Sequence, residues 1–169
     1  MSKKLVTTVD RFQKMIDEAD DSGLIRMRAR LEVELAERGV TFNVGEVGEK
    51  FCIGHFNSTP GLPKLIPAPA GAKNVDALSR DGDRYSIKTF MRAKKTGTVY
   101  PDKDERKQLF EYIVIVRLSN LYELKSIYRF SWDIFTKIRA WDRRMNAWYI
   151  PLSKKNFQTG ESIFQDKSE

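Results

Sequence analysis

Asp76 stands upstream of a Ser86-Ile87-Lys88 triplet, with the turn sequence Asp81-Gly82-Asp83 between them. Residues 75–80 and 84–90 read as short strands on either side of that turn, so the spacing predicts a β-hairpin. On the second strand Ser86 and Lys88 share one face, while Tyr85 and Ile87 share the other. If Asp81-Gly82-Asp83 form the loop, with Gly82 or Asp83 left-handed, Arg80 pairs with Arg84 and Asp76 with Lys88. A carboxylate and an ammonium then stand side by side. A two-residue loop would instead place Asp76 on the face of Ile87. The plain reading of such a pair is a cross-strand ion pair on a surface hairpin. The chemical reading is hydrolysis: a carboxylate offers a hard cation its oxygen, and a neighbouring ammonium steadies a water or a developing negative charge.

The rest of the composition narrows that chemistry. His55 is the only histidine and Cys52 the only cysteine, so a His/Cys metal site and an internal disulfide are excluded. Cys52 is expected as a reduced, buried thiol and His55 as a helix-end residue. There is no Gly-Lys-Ser/Thr phosphate loop and no nucleophile elbow. The net charge is +7, which suits a polyanionic partner such as double-stranded DNA. Arg84, Arg92, Lys94, Lys95 and Thr96 crowd beside the proposed site and are expected to hold phosphates, although any one such lysine reads more simply as solvated. Lys137, Arg139, Arg143 and Arg144 surround Trp141 and Trp148. That cluster reads first as packing and second as a nucleic-acid clamp.

These residues need elements to hold them. At 41% hydrophobic and 31% charged, the chain has a globular balance and the length of a single domain, 1–169. Helical spacing predicts a first helix from Val6 to Ala19, broken at 20–23. A second carries Leu24, Met27, Leu31 and Leu35 on one stripe and stops before Gly39, so the N-terminal helices occupy 6–38. Asn43 caps a third helix from Val44 to Phe56, with Val47, Phe51 and Cys52 inward and Gly45 and Gly48 permitting close packing. The Pro/Gly-rich stretch 57–74 is expected to lack regular structure. After the hairpin come a basic loop to Glu105, strands at 110–118 and 122–130, a helix at 132–141 capped by Ser131, and a strand at 147–152. The tail, 146–169, is expected to end in a fraying polar segment. The fold class is α/β: N-terminal helices, then a mainly antiparallel mixed sheet flanked by helices. No signal peptide or membrane-spanning run is read, so the expected location is cytoplasmic.

Over roughly 43–141 this order resembles the PD-(D/E)xK nuclease superfamily, the restriction-endonuclease-like fold. The resemblance rests on Asp76, on the Ser86-Ile87-Lys88 triplet across a hairpin, and on a preceding helix bearing Gly48-Glu49 or Gly45-Glu46. It departs from the family pattern twice: Val75 replaces the proline, and Ser86 replaces the triplet acid. The resemblance implies Mg²⁺, with Mn²⁺ as substitute, held by Asp76, Glu49 and the Ile87 backbone carbonyl. Lys88 would hold the attacking water and Ser86 a metal-bound water. Glu46, Asp102, Asp104 and Glu105 are the other carboxylates that could replace the missing acid. The implied activity is a type II restriction endonuclease or its catalytic subunit, acting as a homodimer or with a second subunit. A junction-resolvase-like nuclease and an inactive DNA-binding protein of the same fold are the alternatives.

Overall fold

The computed structural model describes residues 8–40, 43–104 and 107–166. They fall into two compact units, divided after residue 42.

The first unit holds α1 (Thr8–Asp17) and α2 (Asp21–Glu37). Asp20 caps α2, its carboxylate accepting the Gly23 N–H at 2.7 Å. Spaced pairs such as Arg28–Glu32 at 2.9 Å reinforce the outer turns. The apolar stripe on α2 is present, but α2 buries no residue.

The second unit is built on a six-stranded sheet in the order β1-β2-β3-β4-β5-β8. Its α3 spans Val44–Ser58. Asn43 caps α3 as expected, accepting from the Gly45 and Glu46 N–H groups at 2.8 and 3.3 Å. Strands β2 (Ala77–Ser79) and β3 (Arg84–Phe90) form the expected hairpin, and β4 (Tyr112–Leu118) and β5 (Leu124–Ser131) the expected second pair. Among the described residues only β3 and β4 run parallel. Ile113, Val114, Ile115 and Val116 in β4 are all buried, as suits a central strand covered on both faces. On one face α3 packs Cys52 and Phe56 against Tyr85, Ile87, Val114 and Val116. On the other, Ile113, Ile115 and Phe130 meet Val99, Phe110, Phe135 and Ile150. Burial pushes the Cys52 thiol up to about 12, in keeping with an inert core cysteine. Phe51, read as inward, is instead exposed.

Four expectations need correction. The Pro/Gly-rich stretch contains β1 (Leu65–Pro67), paired with β2; an edge strand tolerates Pro67 because its outer side needs no donor. The helix expected to reach Trp141 ends as α4 (Trp132–Ile138), and Ala140–Asp142 becomes β6. β6 pairs with β7 (Ala147–Tyr149), shorter than the strand expected there, in a separate hairpin. Its turn is set by Asp142 Oδ1, which accepts the Arg144 and Met145 N–H groups at 3.0 and 3.1 Å. Finally, the tail does not fray before residue 166. It forms α5 (Lys154–Phe157) and β8 (Glu161–Gln165), which joins β5 at the sheet edge. Arg129–Glu161 at 2.7 Å and Lys125–Asp166 at 2.9 Å fasten that edge. Among the described residues no helix is long and apolar enough to cross a membrane.

Candidate active site at the end of β2

The hairpin turn decides where Asp76 lies. Ser79 N–H donates to Asp83 C=O at 2.9 Å, Gly82 N–H donates to Ser79 C=O at 3.1 Å, and Gly82 takes φ 93°. The loop is therefore Arg80-Asp81-Gly82 rather than Asp81-Gly82-Asp83, and Leu78, not Arg80, faces Arg84. This shifts the expected register by two residues. Asp76 lies beyond the paired residues, and its carboxylate still reaches both Ser86 and Lys88.

Asp76 lies just beyond β2. Its N–H donates to Tyr85 C=O at 2.8 Å, and its own C=O accepts from Ala68 N–H at 3.0 Å. Upstream, Asn74 takes φ 60° and clamps the chain, its Nδ2 donating to Tyr100 C=O at 2.8 Å. The triplet then converges on a single oxygen. Asp76 Oδ2 accepts the Ile87 N–H at 2.6 Å and the Ser86 hydroxyl at 3.3 Å. Lys88 Nζ stands 3.6 Å from the same atom, with the Lys88 and Asp76 side chains 18% and 23% exposed. Asp76 Oδ1 has no hydrogen bond among the described residues.

The Ile87 carbonyl is placed by strand geometry. Alternate residues of β3 turn their backbone groups toward β2: Tyr85 C=O meets Asp76 N–H there, and Ile87 N–H meets the Asp76 carboxylate. Pairing with β2 ends at Ala77–Tyr85. Ile87 C=O therefore points past the end of β2, on the edge where Asp76 sits, with no strand residue opposite.

Glu49 enters from α3. Gly48 is buried, and a Cβ there would come within 2.0 Å of Thr89 Oγ1, so only glycine lets α3 lie this close to β3. Thr89 Oγ1 is buried without a hydrogen-bond partner beneath it. The next residue, Glu49, is half-buried. Burial first, then the Asp76 charge, raises its proton affinity above the ordinary value of 4.5; Lys88 opposes the shift and Glu46 adds to it. Glu49 thus lies in the field of both Asp76 and Lys88. Glu46 sits in the first turn and accepts a hydrogen bond from Asn43 Nδ2 at 3.3 Å. Asp102 is engaged by Lys107 at 3.0 Å, which holds its carboxyl below the ordinary range. Asp104 gives its N–H to Asp102 Oδ1 at 3.4 Å. Glu105 lies outside the described residues.

The residues read as phosphate ligands divide. Arg84 forms a two-pronged pair with Glu111, Nη2–Oε1 2.8 Å and Nε–Oε2 3.1 Å. Lys95 pairs with Asp142 at 2.6 Å. Thr96 is buried, its hydroxyl donating to Gly97 C=O and accepting the Ile150 N–H at 3.0 Å. Of these, Thr96 is buried, whereas Arg84 and Lys95 are partly exposed and each is paired with a carboxylate. Arg92 donates to Asn120 at 2.7 Å, and the Lys94 side chain is exposed. In the second basic cluster, Arg139 lies 3.9 Å over the Trp148 ring and Trp141 packs edge-on against Trp148 at 4.6 Å, so these three are packing. Glu111, Asn74 and Gly97, whose Cβ position lies 3.7 Å from Lys88 Cδ, were not read from the sequence. No local pattern announces Glu111 or Asn74, because their partners lie 27 and 26 residues along the chain.

Among the described residues no group of three or more His, Cys, Asp or Glu is placed to hold a metal ion. The oxygens on offer are the Asp76 carboxylate, the Ile87 carbonyl beside it and, within electrostatic reach of Asp76, the Glu49 carboxylate. That is a hard, all-oxygen donor set, which fits a cation that keeps several of its waters. A scan against protein-family models finds no match, and a search of curated proteins finds no similar chain.

Proposed function

We propose that this chain is a metal-dependent nuclease of the restriction-endonuclease-like fold, hydrolysing phosphodiester bonds in DNA. The observation that carries the reading is the convergence of Ser86, Ile87 and Lys88 on one oxygen of Asp76, with Glu49 in the same field. A simple surface ion pair needs neither the buried hydroxyl, nor the second carboxylate, nor the Gly48 contact that brings it there.

Asp76, Glu49 and the Ile87 carbonyl would hold Mg²⁺ or Mn²⁺, whose charge would neutralise what builds on the phosphate and the leaving oxygen. Ile87 N–H and Ser86 orient the Asp76 carboxylate, so its rotamer is fixed before any ligand arrives. Lys88 stands ready to donate to the attacking water and to the negative charge of the transition state. Glu49 supplies from the helix the negative charge that Ser86 does not supply from the strand. The net charge of +7 favours a polyanion, and exposed Lys94, Arg143 and Arg144 supply cations with no carboxylate partner among the described residues. A type II restriction endonuclease or its catalytic subunit fits these features best. One such site cuts one strand, so a double-strand cut calls for two copies.

The test is plasmid cleavage by the purified chain with Mg²⁺, with Mn²⁺ and in excess EDTA. Cleavage is expected with either cation and none with the chelator; full-rate cleavage in EDTA would overturn the proposal. Linear and branched substrates compared side by side distinguish a restriction enzyme from a junction-selective one.

A further inference from the structure

Strand β3 runs on from Lys88 to Phe90, and both side chains lie on the face away from α3. The register places Lys88 beside Ile115 and Tyr128, and Phe90 beside Arg117 and Ser126. At that second row, about 7 Å along the strand from Lys88, a cavity of about 510 Å³ opens. Its wall is aromatic: Phe90 and Phe157 stack at 6.3 Å and 28°, and Tyr128 meets Phe157 at 4.9 Å. All three rings are half-buried rather than sealed. An adjoining cavity of about 350 Å³ shares Tyr128, Lys154 and Phe157 with the first, so these side chains stand between two openings of one groove. Arg92, Arg117, Lys125 and Lys154 line the larger cavity against a single carboxylate, Asp166, which is already paired with Lys125 at 2.9 Å. The cavity therefore offers aromatic rings on one wall and cations at its rim.

We infer that this groove takes the base of an unstacked nucleotide, resting on Phe157 and its aromatic neighbours, with the flanking phosphate at Arg117 and Lys154. The inference rests on the nuclease reading for the identity of the polymer. Aromatic faces accept any base by stacking, and cations beside them track the backbone. A purely apolar ligand would make no use of the cationic rim, and a bare phosphate would leave the rings unused. Ser126 and Gln165 border the same cavity and offer hydrogen bonds to a base edge. In this arrangement the groove holds a nucleotide next to the phosphate at Lys88 and draws the strand out of its stack at the point of cleavage.

The experiment measures binding of the full chain, in EDTA so that nothing is cut, to a labelled single-stranded oligonucleotide and to the same strand with abasic positions throughout. The intact strand is expected to bind about tenfold tighter or more. Phe157→Leu, which keeps an apolar side chain but removes the ring, should bring the ratio close to one with the circular dichroism spectrum unchanged. Lys154→Glu, on the surface, should weaken both strands alike and flatten their salt dependence. Equal affinity for the two strands in the parent chain, or a ratio that Phe157→Leu leaves intact, would overturn the inference. Failure here is separable from failure of the nuclease reading. A chain that cuts DNA with Mg²⁺ yet shows no base-dependent ratio keeps its site and loses this groove. One that shows the ratio but never cuts keeps the groove and loses the nuclease.

Discussion

Arg84 and Lys88 sit on the same strand, and each faces a carboxylate, but the two pairs are built differently. Arg84 meets Glu111 through two hydrogen bonds, and Glu111 also accepts the Arg84 N–H at 2.7 Å. Arg84 Nη2 further donates to Gln108 C=O at 3.3 Å. Every charge there has a partner, and the Arg84 hydrogen bond holds the Glu111 carboxyl below the ordinary range. Lys88 stands 3.6 Å from Asp76, and that one ammonium faces two carboxylates. Its neighbour Glu49 is pushed the opposite way, toward holding a proton. A saturated pair fastens the turn to β4. An unsaturated one leaves a surplus of negative charge, which a divalent cation would offset.

The contrast is sharpest in activity. Asp76→Ala and Lys88→Ala are each expected to lower cleavage by about a thousandfold or more while leaving the fold intact. Arg84→Ala should leave the rate per folded molecule within a few fold. A Lys88→Ala chain that cuts at the parent rate, in protein free of contaminating nuclease, would remove the distinction between the two pairs.

Next in size is the contact that delivers Glu49. Gly48→Ala drives a methyl group into Thr89, and forcing extra volume into such a seam costs about 1–3 kcal/mol. Both stability and cleavage should fall, because α3 must move away from β3 and carry Glu49 with it. Gly54 on the same helix has open space around its Cβ position, so Gly54→Ala should be neutral or slightly stabilising. Equal effects from the two substitutions, read by thermal denaturation, would contradict the account.

The smallest expected effect is on the saturated pair. The folded-state proton affinity of Glu111 is lowered, so its contribution is present above the ordinary value of 4.5 and is lost as pH falls through the lowered one. Glu111→Gln should cost about 1 kcal/mol near neutral pH, since the side chains of Arg84 and Glu111 are 36% and 30% exposed and solvent screens them. The deficit should shrink as the solution is acidified. A deficit independent of pH, measured by denaturant titration, would mean that the charge is not what matters.

The sequence made the site legible where local rules govern it. Asn43 announces the start of α3, and β-branched, apolar Ile113–Val116 marks a buried strand. Alternation put Ser86 and Lys88 on one face, and the Asp76 carboxylate reaches both even though the loop was misplaced. What could not be read was whatever depends on a distant partner. β1 and β6 are three-residue strands with too little length for a period to show, β7 was legible but not where it stops, and β8 is recognisable as a strand only by its pairing to β5. Arg84 and Lys95 look like free cations in sequence; Glu111 and Asp142, which neutralise them, lie 27 and 47 residues away. Gly48 was readable as a close approach, but its partner Thr89 was not.

The most direct measurement of the central claim is the thermal stability of the parent chain and Glu49→Gln at neutral pH, each with and without Mg²⁺. The folded-state proton affinity of Glu49 is raised, so its favourable contribution is complete below 4.5 and is lost as pH rises through the raised value. Without the cation, Glu49→Gln should therefore be the more stable protein at neutral pH, and that advantage should fade on acidification. With Mg²⁺ at about a hundred times its dissociation constant, a chain that binds it gains about 2.7 kcal/mol, and the parent should overtake the variant. Such a reversal is the outcome the account predicts. If Mg²⁺ stabilises both proteins equally, or neither, then Asp76 and Glu49 do not share a cation and the site proposed here is not a metal centre.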